Sequence, residues 1–206
     1  MSGISNIREF WDNCHKEELL ESLSGSKYDE TIKALKLEEY MKPFSNVLEI
    51  GPGLGYVTKE LYERGLNVSC LDISKLALTK IEKYCEKIYT INDLKELPLG
   101  YFDVIICVNV IQHIPTDLLK EELRYCVRSL KADGVFALEF VSNIEEEDMG
   151  IDASIATITK GWCCRTPKYL DKLIKVVGGT CELVYDVKCD NDIVTGCHVF
   201  HVRKHV

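Results

Sequence analysis

Apolar residues in this chain occur in two patterns that alternate along it. Val47, Leu48 and Ile50 form a short apolar run, as do Val68 to Leu71, Ile88 to Ile91 and Val104 to Val108. Unbroken runs of this length, bounded by turn residues, are what parallel strands buried on both faces look like in sequence. Between the runs, apolar residues recur every three or four positions. Leu54, Val57 and Leu61 share a helical face that Gly65 terminates, and Ser74 can cap a helix to about Lys87 that packs through Leu76, Leu78, Ile81 and Tyr84. Thr116 to Leu130 reads as a further helix, and Asp133-Gly134 turns into a fifth strand from Val135 to Val141. A last helix begins at Thr166-Pro167 and stops at Gly178-Gly179. Thr180 to Val187 and Ile193 to Val202, separated by Cys189 to Asp192, form a hairpin. Alternating strands and helices predict an α/β domain with a mostly parallel sheet.

Residues 1 to 44 precede this alternation and read as two helices. Ile4, Ile7, Phe10, Trp11 and Cys14 lie on one helical face, Ser24-Gly25-Ser26 breaks the chain, and Tyr28, Thr31, Ile32, Leu35 and Tyr40 suggest a second helix ending before Pro43. The organisation expected is a helical segment over 1–44 and one core domain over 45–206. At 206 residues the chain can bury a good core as a single domain. It contains no run of 18 apolar residues and no signal-peptide pattern, so a cytoplasmic location without a membrane partner is expected.

The formal net charge is -8, and no basic run or basic stripe interleaved with aromatics occurs, which argues against nucleic acid as a partner. The ten cysteines include no C-x-x-C pair. Cys14, Cys70, Cys85, Cys107 and Cys126 fall singly in apolar patterns as small hydrophobes would, and Cys181, Cys189, Cys197, His198 and His201 have no zinc-like spacing. No metal site is expected.

The chemistry concentrates at the end of the first strand. Gly51, Gly53 and Gly55 fall within five residues, so the chain can turn sharply and bring its backbone against a ligand where a Cβ would collide. Asp72, about 20 residues beyond, stands at the end of the second strand, where a carboxylate can accept hydrogen bonds from ribose hydroxyls. A nucleoside cofactor follows. The dinucleotide fingerprint would need glycine at position 56, which is Tyr56.

Glu49-x-Gly51-x-Gly53-x-Gly55 with Asp72 resembles the signature of the class I S-adenosylmethionine-dependent methyltransferases. The resemblance covers about residues 45 to 206. It implies a Rossmann-like, doubly wound, mostly parallel seven-stranded sheet with a C-terminal antiparallel hairpin and an N-terminal helical lid, lined by Trp11, His15, Tyr28 and Tyr40, that folds over the cofactor and shapes the acceptor pocket. It also implies S-adenosylmethionine as cofactor, held by Glu49, Gly51, Gly53, Gly55, Asp72, Ile73, Asp93, Leu94 and Asn109. Asp93 would accept from the adenine amino group, although an Asn-Asp pair also suits a simple turn. The stretch Asn109 to Pro115 lacks the N-P-P-Y type of motif that marks methylation of planar nitrogens.

Methyl transfer from a sulfonium is an in-line displacement in which positioning can supply on the order of 7 to 11 kcal/mol. A hydroxyl acceptor also gains from a general base, for which His113 is best placed and His15 second. The acceptor expected is a small molecule methylated on a hydroxyl, carboxylate or phosphoryl oxygen, of natural-product, sugar or surface-glycan type by analogy of architecture. A small-molecule or protein N-methyltransferase, an NAD(P)-dependent oxidoreductase and a non-catalytic binding protein of the same fold are the alternatives. The residues leave the oligomeric state open.

Overall fold

The computed structural model describes residues 2–16, 28–142, 165–188 and 196–205. Residues 143–164 and the hairpin turn 189–192 lie outside the described residues. The strands form a seven-stranded sheet, mostly parallel with antiparallel C-terminal strands, as the reading of the sequence anticipates. The chain divides into two compact units, Met1–Leu97 and Pro98–Val206.

In the first unit, β1 (Asn46–Ile50) pairs in parallel with β2 (Asn67–Asp72), and β2 with β3 (Lys87–Thr90). Val47 and Leu48 are completely buried, which explains the unbroken apolar run. Helix α1 spans Ser2–Lys16 and α2 spans Tyr28–Ala34. The predicted second helix thus stops well short of Pro43. Its end is a left-handed C-cap: Lys36 sits at φ 52°, Leu37 N–H reaches back to Ile32 O at 3.0 Å, and Leu37 is buried against the unit. Nothing in the composition announces this, because glycine usually holds that position.

Helix α3 (Tyr56–Glu63) buries Thr58 and Leu61, and Gly65 follows it at φ 77°. Helix α4 (Lys75–Ile81) is capped by Ser74 Oγ, which accepts from Ala77 N at 3.1 Å. It tightens into a 3-10 turn over Glu82–Tyr84, so it ends earlier than the predicted Lys87. The chain needs those residues to extend into β3, where Glu86 N–H already donates to Val68 O at 2.7 Å.

In the second unit the strand order is β4 (Phe102–Cys107), β5 (Leu130–Ser142), β7 (Gly196–Lys204), β6 (Gly179–Lys188). Strands β4 and β5 are parallel, while β5–β7 and β7–β6 are antiparallel. Helix α5 (Thr116–Ser129) and α6 (Pro167–Val176) match the expected helices, with Thr166 Oγ1 capping α6 by accepting from Tyr169 N at 3.1 Å. One difference concerns Asp133-Gly134, predicted as a turn. Strand β5 already begins at Leu130 and carries a register irregularity there, and a Cβ on Gly134 would stand 2.9 Å from Phe102 O. Close approach of two backbones, not a reversal, selects that glycine.

Candidate functional site

The carboxyl ends of β1, β2 and β3 lie on one edge of the first unit's parallel sheet, and most of the predicted cofactor residues gather there. The glycine loop leaves β1 with all three glycines in the left-handed region: Gly51 at φ 65°, Gly53 at 56° and Gly55 at 78°. Side chains rarely adopt this conformation, and here it strings three such residues within five positions. The loop is tied down by Gly51 N–H donating to Leu71 O at 2.8 Å and Gly55 N–H to Pro52 O at 2.9 Å. Among the described residues a Cβ on Gly53 would meet nothing within 4 Å, so its backbone faces open space there, whereas a Cβ on Gly55 would lie 2.3 Å from Ile81 Cγ2. The two glycines serve different ends: Gly53 leaves room beside the loop, and Gly55 lets α3 approach α4.

Two carboxyl groups stand buried behind this loop. Glu49, in β1, accepts a hydrogen bond from Thr58 Oγ1 at 2.6 Å. Burial pushes its carboxyl up to about 7, the Thr58 bond opposes this, and the charge of Asp72 adds to it. Asp72 ends β2 and accepts from Ser74 N at 2.8 Å and from the backbone N–H groups of Ile73 and Gly53. Burial raises it to about 6, against the pull of those donors and with a further push from Asp12. The link between Gly53 and Asp72 joins the two halves of the sequence motif.

Helix α1 packs beside the same turn through polar contacts. Arg8 Nε donates to Ile73 O at 3.2 Å, Ser74 Oγ to Asp12 Oδ1 at 2.5 Å, and Lys80 Nζ to His15 O at 2.7 Å. His15 itself is 2% exposed, its ring 6.4 Å from that of Trp11, with no hydrogen-bond partner for Nδ1 among the described residues. Burial and then Lys80 hold its pKa below the usual value.

Asp93 and Leu94 follow β3 in a 3-10 turn over Ile91–Glu96. Asp93 Oδ2 accepts from both Thr90 N and Thr90 Oγ1 at 2.7 Å, which closes a capping box and lowers its pKa. Turn capping is therefore one role of this carboxylate, and the Thr90-x-x-Asp93 spacing was its signal in the sequence. Leu94 is buried.

In the second unit, Asn109 and His113 follow β4. Asn109 takes φ 56°, and its backbone N–H donates to Glu139, whose carboxyl is raised by burial. His113, half-buried, closes a 3-10 turn over Ile111–His113. Sequence reasoning missed what holds this turn. Arg165 is 5% exposed, and its Nη1 donates to Ile111 O at 2.7 Å while Nη2 donates to Ile114 O at 2.5 Å and Thr116 Oγ1 at 3.3 Å.

At the carboxyl end of β5 a further polar group escaped the sequence reading. Ser142 Oγ lies 2.6 Å from His198 Nε2, and His198 Nδ1 lies 3.0 Å from Asp186 Oδ1. The Asp186 carboxylate is within pairing distance but off the N–H direction, so Nδ1 lacks a well-aligned hydrogen bond. Among the described residues no group of three or more His, Cys, Asp or Glu side chains could hold a metal ion, and no helix is long and apolar enough to cross a membrane.

Comparison with known proteins agrees with this geometry. Residues 48–138 match the family model of a methyltransferase domain. The chain is 26% identical over 141 residues to the ubiquinone biosynthesis O-methyltransferase of Idiomarina loihiensis, which covers 63% of this chain and 55% of that protein. With the enzyme of the same name from Rickettsia typhi it shares 20% over 197 residues, covering 89% and 74%. The chain thus spans about half the length of the first of these relatives and three quarters of the second. Among solved structures, magnesium protoporphyrin IX methyltransferase from Synechocystis with bound S-adenosylhomocysteine superposes with a TM-score of 0.67 at 15% identity, over 98% of this chain and 99% of that one. A phosphoethanolamine N-methyltransferase from Haemonchus contortus gives 0.72 at 16% identity, over 97% and 60%.

Proposed function

Because the chain belongs to the class I S-adenosylmethionine-dependent methyltransferases, we propose that it transfers the methyl group of S-adenosylmethionine to a hydroxyl oxygen of a small molecule. The observation that carries the cofactor half of this reading is the junction of loop and carboxylate: three left-handed glycines with open space beside Gly53, and Asp72 tied to Gly53 N–H at the end of β2. The residues fit the group, since a buried carboxylate beside half-buried loop backbone offers acceptors to a ribose and donors to a polar tail.

Gly51, Gly53 and Gly55 would let the backbone lie against the cofactor, Asp72 would take the ribose hydroxyls, and Glu49 would hold Thr58 and the loop behind it. Ile73 and Leu94 would border the adenine, and Asp93 would serve the adenine amino group with the oxygen that Thr90 leaves. When bound, the cofactor supplies a methyl group on a positively charged sulfur. The chain's own task is to align the acceptor and exclude water, which needs no covalent enzyme intermediate.

Support for an oxygen acceptor comes from the curated relatives, which are O-methyltransferases by name. Of the two histidines, His113 is better disposed to meet an acceptor, being half-buried on the Arg165-clamped turn, whereas His15 is enclosed in the packing of α1. Helix α1, bonded to the Asp72–Ser74 turn through Arg8 and Asp12, would act as the lid.

The test is incubation with S-adenosylmethionine and a panel of simple acceptors: a catechol, an aliphatic alcohol, a benzoate, a phosphomonoester and a primary amine. A mass gain of one methyl on the catechol or alcohol is expected. Methylation of the amine alone would replace oxygen by nitrogen as the acceptor.

A further inference from the structure

Hydrogen-bond acceptors are scarce at the end of β2. A carboxylate offers about four lone-pair positions. Asp72 already accepts from three backbone N–H groups, those of Ser74, Ile73 and Gly53, which leaves about one position for a ligand. The ribose of S-adenosylmethionine presents two hydroxyl donors. Asp72 can serve one of them, and the other needs a second acceptor or forfeits its hydrogen bond.

A second carboxylate is held on the same serine. Ser74 donates its backbone N–H to Asp72 Oδ1 at 2.8 Å and its hydroxyl to Asp12 Oδ1 at 2.5 Å. A hydroxyl has a single hydrogen, so Ser74 Oγ can only accept the N–H of Ala77, which it does at 3.1 Å. The two carboxylates therefore stand side by side. Burial is the main cause of the raised Asp72 pKa, and the charge of Asp12 adds to it. Among the described residues Asp12 makes no other hydrogen bond, so its Oδ2 keeps its lone pairs. The helix fixes this position. Arg8, Asp12 and His15, four and three residues apart, form one stripe of α1. Arg8 Nε donates to Ile73 O at 3.2 Å, Lys80 Nζ donates to His15 O at 2.7 Å, and Asp12 lies between these two ties.

We propose that Asp12 is a cofactor-binding residue, its Oδ2 accepting from one ribose hydroxyl while Asp72 accepts from the other. The inference rests on the assignment of Asp72 to the ribose and lies wholly within the Met1–Leu97 unit. Helix α1 then belongs to the nucleoside site, and the ribose adds a further tie between the helix and the Asp72–Ser74 turn. A nucleoside lacking one hydroxyl loses one carboxylate and keeps the other.

The test varies ligand and residue together. The full chain is titrated calorimetrically with S-adenosylhomocysteine and with its 2′-deoxy and 3′-deoxy analogues, as wild type, Asp12→Asn and Asp72→Ala. Asp12→Asn keeps an oxygen for Ser74 Oγ, so α1 stays docked, and replaces Oδ2 by an amide nitrogen that cannot accept. Deleting the hydroxyl that Asp12 binds should weaken wild-type binding on the order of 10-fold or more, and weaken binding to Asp12→Asn by less than twofold. Deleting the other hydroxyl should cost wild type and Asp12→Asn alike, and its cost should vanish in Asp72→Ala. A merely structural Asp12 would lower affinity for all three ligands by one factor. If each deletion costs Asp12→Asn as much as it costs wild type, the proposal is overturned. Asp12→Ala, which lacks the amide, must give the same pattern as Asp12→Asn, and a different pattern overturns it as well. Should neither deletion lose its cost in Asp72→Ala, the assignment of Asp72 to the ribose fails, a result distinct from the failure of Asp12.

Discussion

Glu49→Gln isolates the electrostatic state of the buried carboxyl behind the glycine loop. Raising that carboxyl from 4.5 to about 7 disfavours its ionisation by about 3 kcal/mol, at about 1.4 kcal/mol per pH unit. The group is buried, so solvent screening does not discount this figure. A raised folded-state pKa means that the folded protein binds more protons than the unfolded chain. The cost is therefore absent below about pH 4, accrues as pH rises from about 4.5 to about 7, and is complete above. Glutamine keeps an oxygen to accept from Thr58 Oγ1 but cannot ionise. Its amide has hydrogens to satisfy that a carboxyl lacks, a pH-independent cost of about 1 to 3 kcal/mol that cancels when one pair of proteins is compared at two pH values. Urea unfolding of wild type and Glu49→Gln at pH 4.5 and pH 8.5 should show the variant gaining about 3 kcal/mol relative to wild type between the two. An equal difference at both pH values, or a larger advantage at pH 4.5, would refute the assignment of a neutralised Glu49.

Two further variants test the separate roles of the motif glycines and of the buried arginine. Gly55→Ala places a methyl 2.3 Å from Ile81 Cγ2 at φ 78° and should cost about 2 to 5 kcal/mol in denaturant unfolding, whereas Gly53→Ala, with open space around it, should cost about 1 to 2. Equal costs would contradict the packing role given to Gly55. Arg165→Met strips the carbonyls of Ile111 and Ile114 of a charged donor, so amide exchange across residues 111–116 should accelerate and stability should fall by about 2 to 4 kcal/mol. Unaltered exchange in that turn would remove Arg165 as its clamp.

The parts of the fold that were legible in the sequence are those where one local signal decides. The apolar runs of β1 and β4 report burial on both faces, and Ser74 and Thr166 announced α4 and α6 because an N-cap side chain acts within three residues. The glycine loop and Asp72 were legible because close backbone approach admits few residue types. What stayed hidden depends on contacts distant along the chain. Ser142 and His198 are 56 positions apart and meet only through strand register, and Arg165 reaches a turn 54 positions upstream of it. The end of α2 was hidden for another reason: Lys36 occupies a left-handed position that composition assigns to glycine, and the burial of Leu37 makes that affordable.

The glycine loop and Asp72 are built to hold S-adenosylmethionine on our reading. Calorimetric titration with S-adenosylhomocysteine, alongside NADH, tests it most directly, with Asp72→Ala as the matched variant. Saturable binding of S-adenosylhomocysteine, none of NADH, and at least a tenfold loss in Asp72→Ala is the predicted result, since a charge-assisted hydrogen bond contributes about 1.5 to 3 kcal/mol. Binding of NADH in place of S-adenosylhomocysteine, or unchanged affinity in Asp72→Ala, would contradict it.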